Sequence, residues 1–103
     1  MLLEGSMFGK ILCVEQNVSV RKSRCAILKN SGYDAAPASP KVAEVLLRSQ
    51  KFDLIVLARP TDFDLHRIIN LADGADVLVL DELTMPSELL SLVAERLDRQ
   101  RKA

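Results

Sequence analysis

The sequence predicts a doubly wound α/β domain of three layers, built from four β/α units around a parallel sheet. Three observations carry this. Short apolar runs of strand length alternate four times with segments whose apolar residues recur at helical spacing. One run, Leu54 to Leu57 within KFDLIVLARP, is apolar without interruption, as in a strand covered on both faces. Glycine, proline or cap-forming residues mark the change of period at most boundaries.

Residues 1–9 have no periodicity and are read as a disordered leader, with residues 10–103 forming a single domain. Lys10 to Glu15 (KILCVE) is the first strand. Asn17 or Ser19 caps the first helix, and Gly32 stands where a helix terminator belongs. Val20, Ile27 and Leu28 share its inward face, while Arg21, Lys22, Arg24 and Lys29 read as a solvated face. Tyr33 to Ala38 is a weakly apolar second strand, and Pro37, which lacks a ladder donor, assigns it to an edge. Ser39 and Pro40 start the second helix in the favoured order of cap and then proline, with Val42, Val45 and Leu46 as its inward stripe.

The third strand is Asp53 to Leu57, which makes Ala58 the first residue beyond it. Thr61, Asp62 and Asp64 are alternative caps for a third helix whose Leu65, Ile68, Ile69 and Ala72 share a face, closed by Gly74. Asp76 to Leu80 (DVLVL) is the last strand. Pro86 opens the last helix, with Leu89, Leu90, Val93 and Leu97 inward and a basic end from Arg96 to Lys102 that suits the helix dipole.

Composition narrows the function classes. At 49% hydrophobic and 4% aromatic residues, the core must be aliphatic, and stacking platforms for single-stranded nucleic acid are nearly missing. Fourteen basic and 14 acidic residues cancel, so no global field recruits nucleic acid or anionic lipid. Without an apolar run of membrane length or a secretory leader, the expected location is the cytoplasm, where Cys13 and Cys25 would be buried reduced thiols. No glycine-rich phosphate loop follows the first strand, so neither a nucleotide nor any other cofactor or small-molecule substrate is expected. The single His66, beside Arg67, reads as a surface residue.

KILCVE followed by QNVSVR, the helix end SGYDA, then VAEVLLRSQKFDLIVL, and GADVLVL leading into MPSELLSLV resemble, in that order, the receiver domains of two-component response regulators. The resemblance runs from about Lys10 to Leu97 and implies a flavodoxin-like sheet with strand order 2-1-3-4, shortened by about one β/α unit. In that family an aspartate takes a phosphoryl group with the help of Mg²⁺ and a lysine. The matching positions here are degenerate. Glu15 and Gln16 stand for the metal-holding acidic pair, Ala58 for the phosphoacceptor, and the lysine position falls near Asp81 or Glu82. The missing unit would also carry the family's phosphate-sensing Ser or Thr, and Thr84, beyond the last strand, reads as a helix cap instead.

The resemblance therefore implies a non-phosphorylatable pseudo-receiver, not an enzyme, that serves as a protein-interaction or dimerisation module in signal transduction. Deleting a unit makes the last strand an edge, and Val77, Val79, Leu83 and Met85 are its candidate interface, toward another protein or a second copy. A different class of function is a small module that binds a metal ion or small anion at the carboxyl edge of the sheet through Glu15, Asp62 and Asp81. A third reading makes Glu15 or Asp62 a substitute phosphoacceptor.

Overall fold

The computed structural model describes residues 9–58, 62–81 and 84–102. The expectations placed on residues 1–8, Thr61, Glu82 and Leu83, and on the side chain of Lys102, lie outside the described residues or side chains. The elements run β1 (Lys10–Val14), α1 (Val18–Asn30), β2 (Asp34–Ala38), α2 (Pro40–Ser49), β3 (Leu54–Ala58), α3 (Asp62–Leu71), β4 (Asp76–Leu80) and α4 (Pro86–Lys102). All strand pairs are parallel and the sheet order is β2-β1-β3-β4. This is the flavodoxin-like three-layer (βα)4 arrangement expected from the sequence.

Local chemistry sets the boundaries. Asn17 Oδ1 accepts the Val20 N–H at 3.1 Å to cap α1, and Ser39 Oγ accepts the Val42 N–H at 3.3 Å to cap α2 ahead of Pro40. At the end of α1 the Tyr33 N–H donates to Leu28 O and the Gly32 N–H to Lys29 O. This closure needs the left-handed φ of +97° that glycine adopts freely. The start of α4 is closed by Glu88, whose Oε1 accepts the Met85 N–H at 3.1 Å.

Because strand side chains alternate between faces, the core divides into two clusters. Ile11, Cys13, Leu54, Val56, Ala58, Leu78 and Leu80 pack under α1 and α4, against residues such as Leu28, Leu89 and Val93. Leu12, Val14, Ile55 and Leu57 pack under α2 and α3, against Ala43, Leu47, Ile68 and Ala72. β1 and β3, at the centre, are buried on both faces.

Several expectations are corrected. The third strand starts one residue later and includes Ala58, which pairs with Leu80, because Asp53 is used in the turn before it. There the Asp53 N–H donates to Lys10 O, and its carboxylate accepts the Lys10 N–H at 2.7 Å. On α2 the inward residues are Ala43 and Leu47, while Val42 and Val45 are 48% and 61% exposed. The small Ala43 allows the helix to sit close to the sheet, and that sets a rotation the spacing of the larger residues does not show. On α3, Ile68 and Ala72 are buried, but Ile69 is exposed. On α1, the buried residues are Arg24, Cys25 and Leu28, with Val20 and Ile27 half-buried, so Arg24 is not part of a solvated face. In β4 only alternate members of the apolar run lie open: Leu78 and Leu80 are buried and Val79 is 49% exposed.

Candidate functional site

The carboxyl ends of the strands are where a parallel α/β sheet builds its sites, because the loops there separate at the point where strand order reverses. In this chain that crevice lies between β1 and β3, with Glu15 and Gln16 on one side and Ala58 on the other. Asp81 follows the neighbouring β4.

Glu15 is buried, with a side chain 1% exposed. Its carboxylate is held from two directions. Oε2 accepts the Asn17 N–H at 2.7 Å, and Oε1 lies 3.5 Å from Nη1 of Arg24, whose side chain is 11% exposed. Arg21 adds a third tie by donating from Nη1 to the Glu15 carbonyl oxygen at 2.9 Å. Two guanidinium groups from one helix thus converge on the residue that follows β1. A buried carboxylate needs a compensating charge, and Arg24 supplies it from within the chain.

The other positions contribute different chemistry. Gln16 is exposed and uncharged. Ala58 is buried on the α1/α4 face among Leu54, Val56 and Leu80, so its methyl group is part of the core. Asp81 is exposed; its carbonyl oxygen and Oδ1 accept from Thr84 Oγ1 at 3.0 and 3.2 Å. The Thr84 hydroxyl is therefore used on Asp81, while at the start of α4 Glu88 accepts the Met85 N–H. Asp62 is exposed in the first turn of α3, where its charge suits the helix dipole, and its carbonyl oxygen accepts from Nδ1 of the exposed His66 at 3.0 Å. Among the described residues, no three His, Cys, Asp or Glu side chains gather into a group that could hold a metal ion. Glu15, Asp62 and Asp81 therefore form no ready cation site.

Arg24 is the participant that sequence reasoning missed. The signal was present: Arg24 lies four residues after Val20 and three and four before Ile27 and Leu28, on the same helical stripe. A cation on an apolar stripe implies a buried anion, and Glu15 was the candidate nearest in sequence.

Beside this network, the start of α1 and the start of α4 leave a groove of about 290 Å³. Val20, Ile27, Met85 and Leu89 form its apolar part, with Ser19, Ser23 and Thr84 at the rim and Arg24 below. The two thiols lie in the same layer. Cys13 and Cys25 are free and buried, and Cys25 Sγ donates to Ala35 O at 3.3 Å. Burial, reinforced by the Cys25 thiol nearby, pushes the Cys13 thiol up to about 12, against the attraction of Arg24. Burial also raises the Cys25 thiol, opposed by Lys29.

Among the described residues, β4 ends the sheet opposite β2 and no further strand pairs with it. Val79 is 49% exposed there and Val77 is half-buried against the α2/α3 cluster, whereas Met85, expected at the same edge, is 61% exposed and lines the α1/α4 groove instead. At the lower end of this strand, Arg96 Nη1 donates to both carboxylate oxygens of Asp76, at 2.9 and 3.0 Å, and to Val77 O. No helix among the described residues is long and apolar enough to cross a membrane. Compared with known proteins, the chain matches no family model and no curated protein at significance.

Proposed function

We propose that this chain is a receiver-like module that takes no phosphoryl group and acts in signal transduction by binding protein. The observation that supports this most directly is the engagement of Glu15 by Arg24 at the end of β1. A divalent cation prefers hard, charged oxygens that it can reach, and this carboxylate is buried and already paired. Across the crevice, the methyl group of Ala58 offers no oxygen to a phosphorus atom. With the reacting groups replaced, the sheet and its open β4 edge are what the module presents to other molecules. The proposed setting is the cytoplasm, with a protein partner or a second copy.

The test is incubation of the full chain with Mg²⁺ and beryllofluoride, and separately with Mg²⁺ and acetyl phosphate. The expected result is an unchanged mass and an unchanged melting temperature in both. A saturable shift with beryllofluoride, or a stable phosphoryl adduct, overturns the reading. A saturable shift with Mg²⁺ alone would instead favour a cation site at the carboxyl edge.

A further inference from the structure

The two edges of the sheet are built differently. On β2, Asp34 donates its N–H to Gly9 O at 3.2 Å, and Ala38 O accepts from the Glu15 N–H at 3.1 Å, so both turn their backbone groups toward β1. Backbone direction alternates along a strand, so Pro37 turns its nitrogen to the open edge, where an added strand would need a donor. A proline at that place closes the edge to strand addition. β4 carries no such device. Its sequence DVLVL has no proline or glycine, and its only charge is at the first position, paired with Arg96.

The α2/α3 layer also covers β4 only in part: Val77 packs against it, but Val79 is 49% exposed. α2 lies over β1 and β2, and α3 is drawn to it by the ion pair between Arg67 and Glu44. Ile69 comes two residues after Arg67, roughly 200° further round the helix. That puts it on the flank of α3 away from α2, where it is 50% exposed, on the same side of the sheet as Val79. An apolar strip thus runs beside an open strand edge.

We propose that a second copy of this chain covers the strip, with β4 antiparallel to β4 about a two-fold axis normal to the sheet at Leu78. This inference rests on the reading of the chain as a protein-binding module, and it names the partner. The strand is complementary to itself in this register. Val77 of each copy stands opposite Val79 of the other, a pairing of β-branched residues that stabilises antiparallel ladders, and Asp76 stands opposite Leu80. Asp81 of the second copy comes beside the uncharged Ala75, on the face opposite the Asp76–Arg96 pair, which stays satisfied within its own copy. No like charges face each other, and the equal numbers of acidic and basic residues leave no net repulsion between copies. The closed β2 edge also denies β4 a head-to-tail partner on another copy, which would extend into a filament.

The contact is modest. A five-residue strand is roughly 17 Å long, and a standard stable interface needs about 800 Å² from each partner. One strand with Ile69 and Val79 beside it is smaller than that. The dimer is therefore expected to form and dissociate in the micromolar range.

Sedimentation velocity of the full chain from low micromolar to near-millimolar concentration tests this, with Val79→Lys and Ile69→Glu as variants. Both positions are half-exposed, so the monomers should keep the wild-type circular dichroism and melting temperature at low concentration. The expected result is a reversible wild-type dimer whose dissociation constant rises at least tenfold in Val79→Lys and measurably in Ile69→Glu. A wild-type chain that stays monomeric throughout overturns the inference and leaves the edge to a strand from a different protein, without touching the reading as a phosphoryl-independent module. A dimer that both folded variants form as well as wild type also overturns it, and moves the contact elsewhere, such as to the α1/α4 groove. A dimer that weakens in the variants but responds to beryllofluoride supports the seam and overturns only the reading on which it was built.

Discussion

Replacing Arg24 by methionine removes a charge while keeping most of the apolar bulk of the side chain, so it isolates the electrostatic contribution of the buried pair. The Glu15 carboxylate, 1% exposed, would retain the Asn17 N–H but lose its neighbouring guanidinium at 3.5 Å. At that separation the attraction is on the order of 5 kcal/mol for an effective dielectric near 20, and breaking buried pairs from one side typically costs about 3 to 5 kcal/mol. The distance is at the long limit of a hydrogen bond, which favours the lower figure. An expected loss of about 3 kcal/mol corresponds to roughly 15 °C in melting temperature for a domain of this size. Urea unfolding followed by far-ultraviolet circular dichroism should give a lower midpoint with an unchanged slope. The double variant Glu15→Gln with Arg24→Met leaves no unpaired charge, and its amide can still accept from Asn17. It should recover on the order of 2 kcal/mol relative to the sum of the single variants. A single variant within about 0.5 kcal/mol of wild type, or strict additivity in the double variant, would refute the assignment of Arg24 as the internal counter-ion.

Two further outcomes follow from the same layer of the fold. Ala58→Asp places a carboxylate among Leu54, Val56 and Leu80, so it should cost at least about 2 kcal/mol and still take no phosphoryl group from acetyl phosphate with Mg²⁺. Metal-dependent incorporation in intact mass spectra would show that the crevice kept its chemistry and lacked only the acceptor. For Cys13, the folded thiol holds its proton to about 12, whereas the unfolded thiol releases it near 9. The unfolded state therefore binds fewer protons above pH 9. The stability from keeping this thiol protonated is intact below that pH and is lost as pH rises toward the folded value, by up to about 1.4 kcal/mol per pH unit. Between pH 8 and 10, wild type should lose on the order of 1 kcal/mol more than Cys13→Ala in urea titrations, and parallel pH profiles for the two proteins would contradict the assignment.

Much of the fold was legible because the signals are local and periodic. The uninterrupted apolar run of β3 requires cover on both faces, Pro37 requires an edge, and Asn17, Ser39 with Pro40, and Gly32 mark helix ends through bonds that span only a few residues. Helix rotation was less legible. Spacing alone favoured Val42 and Val45 as the inward residues of α2, but close packing on the sheet selected Ala43 and Leu47. How near a helix approaches a sheet depends on both surfaces, and a one-dimensional pattern carries only one of them.

At the carboxyl edge the division is sharper. The sequence by itself determined which atoms are present there: the methyl group of Ala58, the amide of Gln16, and the carboxylates of Glu15 and Asp81. Only the tertiary structure decided what each does. It turned Glu15 inward to a guanidinium that reads as solvated in the sequence, tied Asp81 to the Thr84 hydroxyl, and drew Ala58 into the ladder and the core. The physical reason is that a charge takes its role from its distance to the opposite charge and from its access to water. Arg24 and Glu15 are nine positions apart in the chain and acquire both quantities only when α1 packs on the sheet.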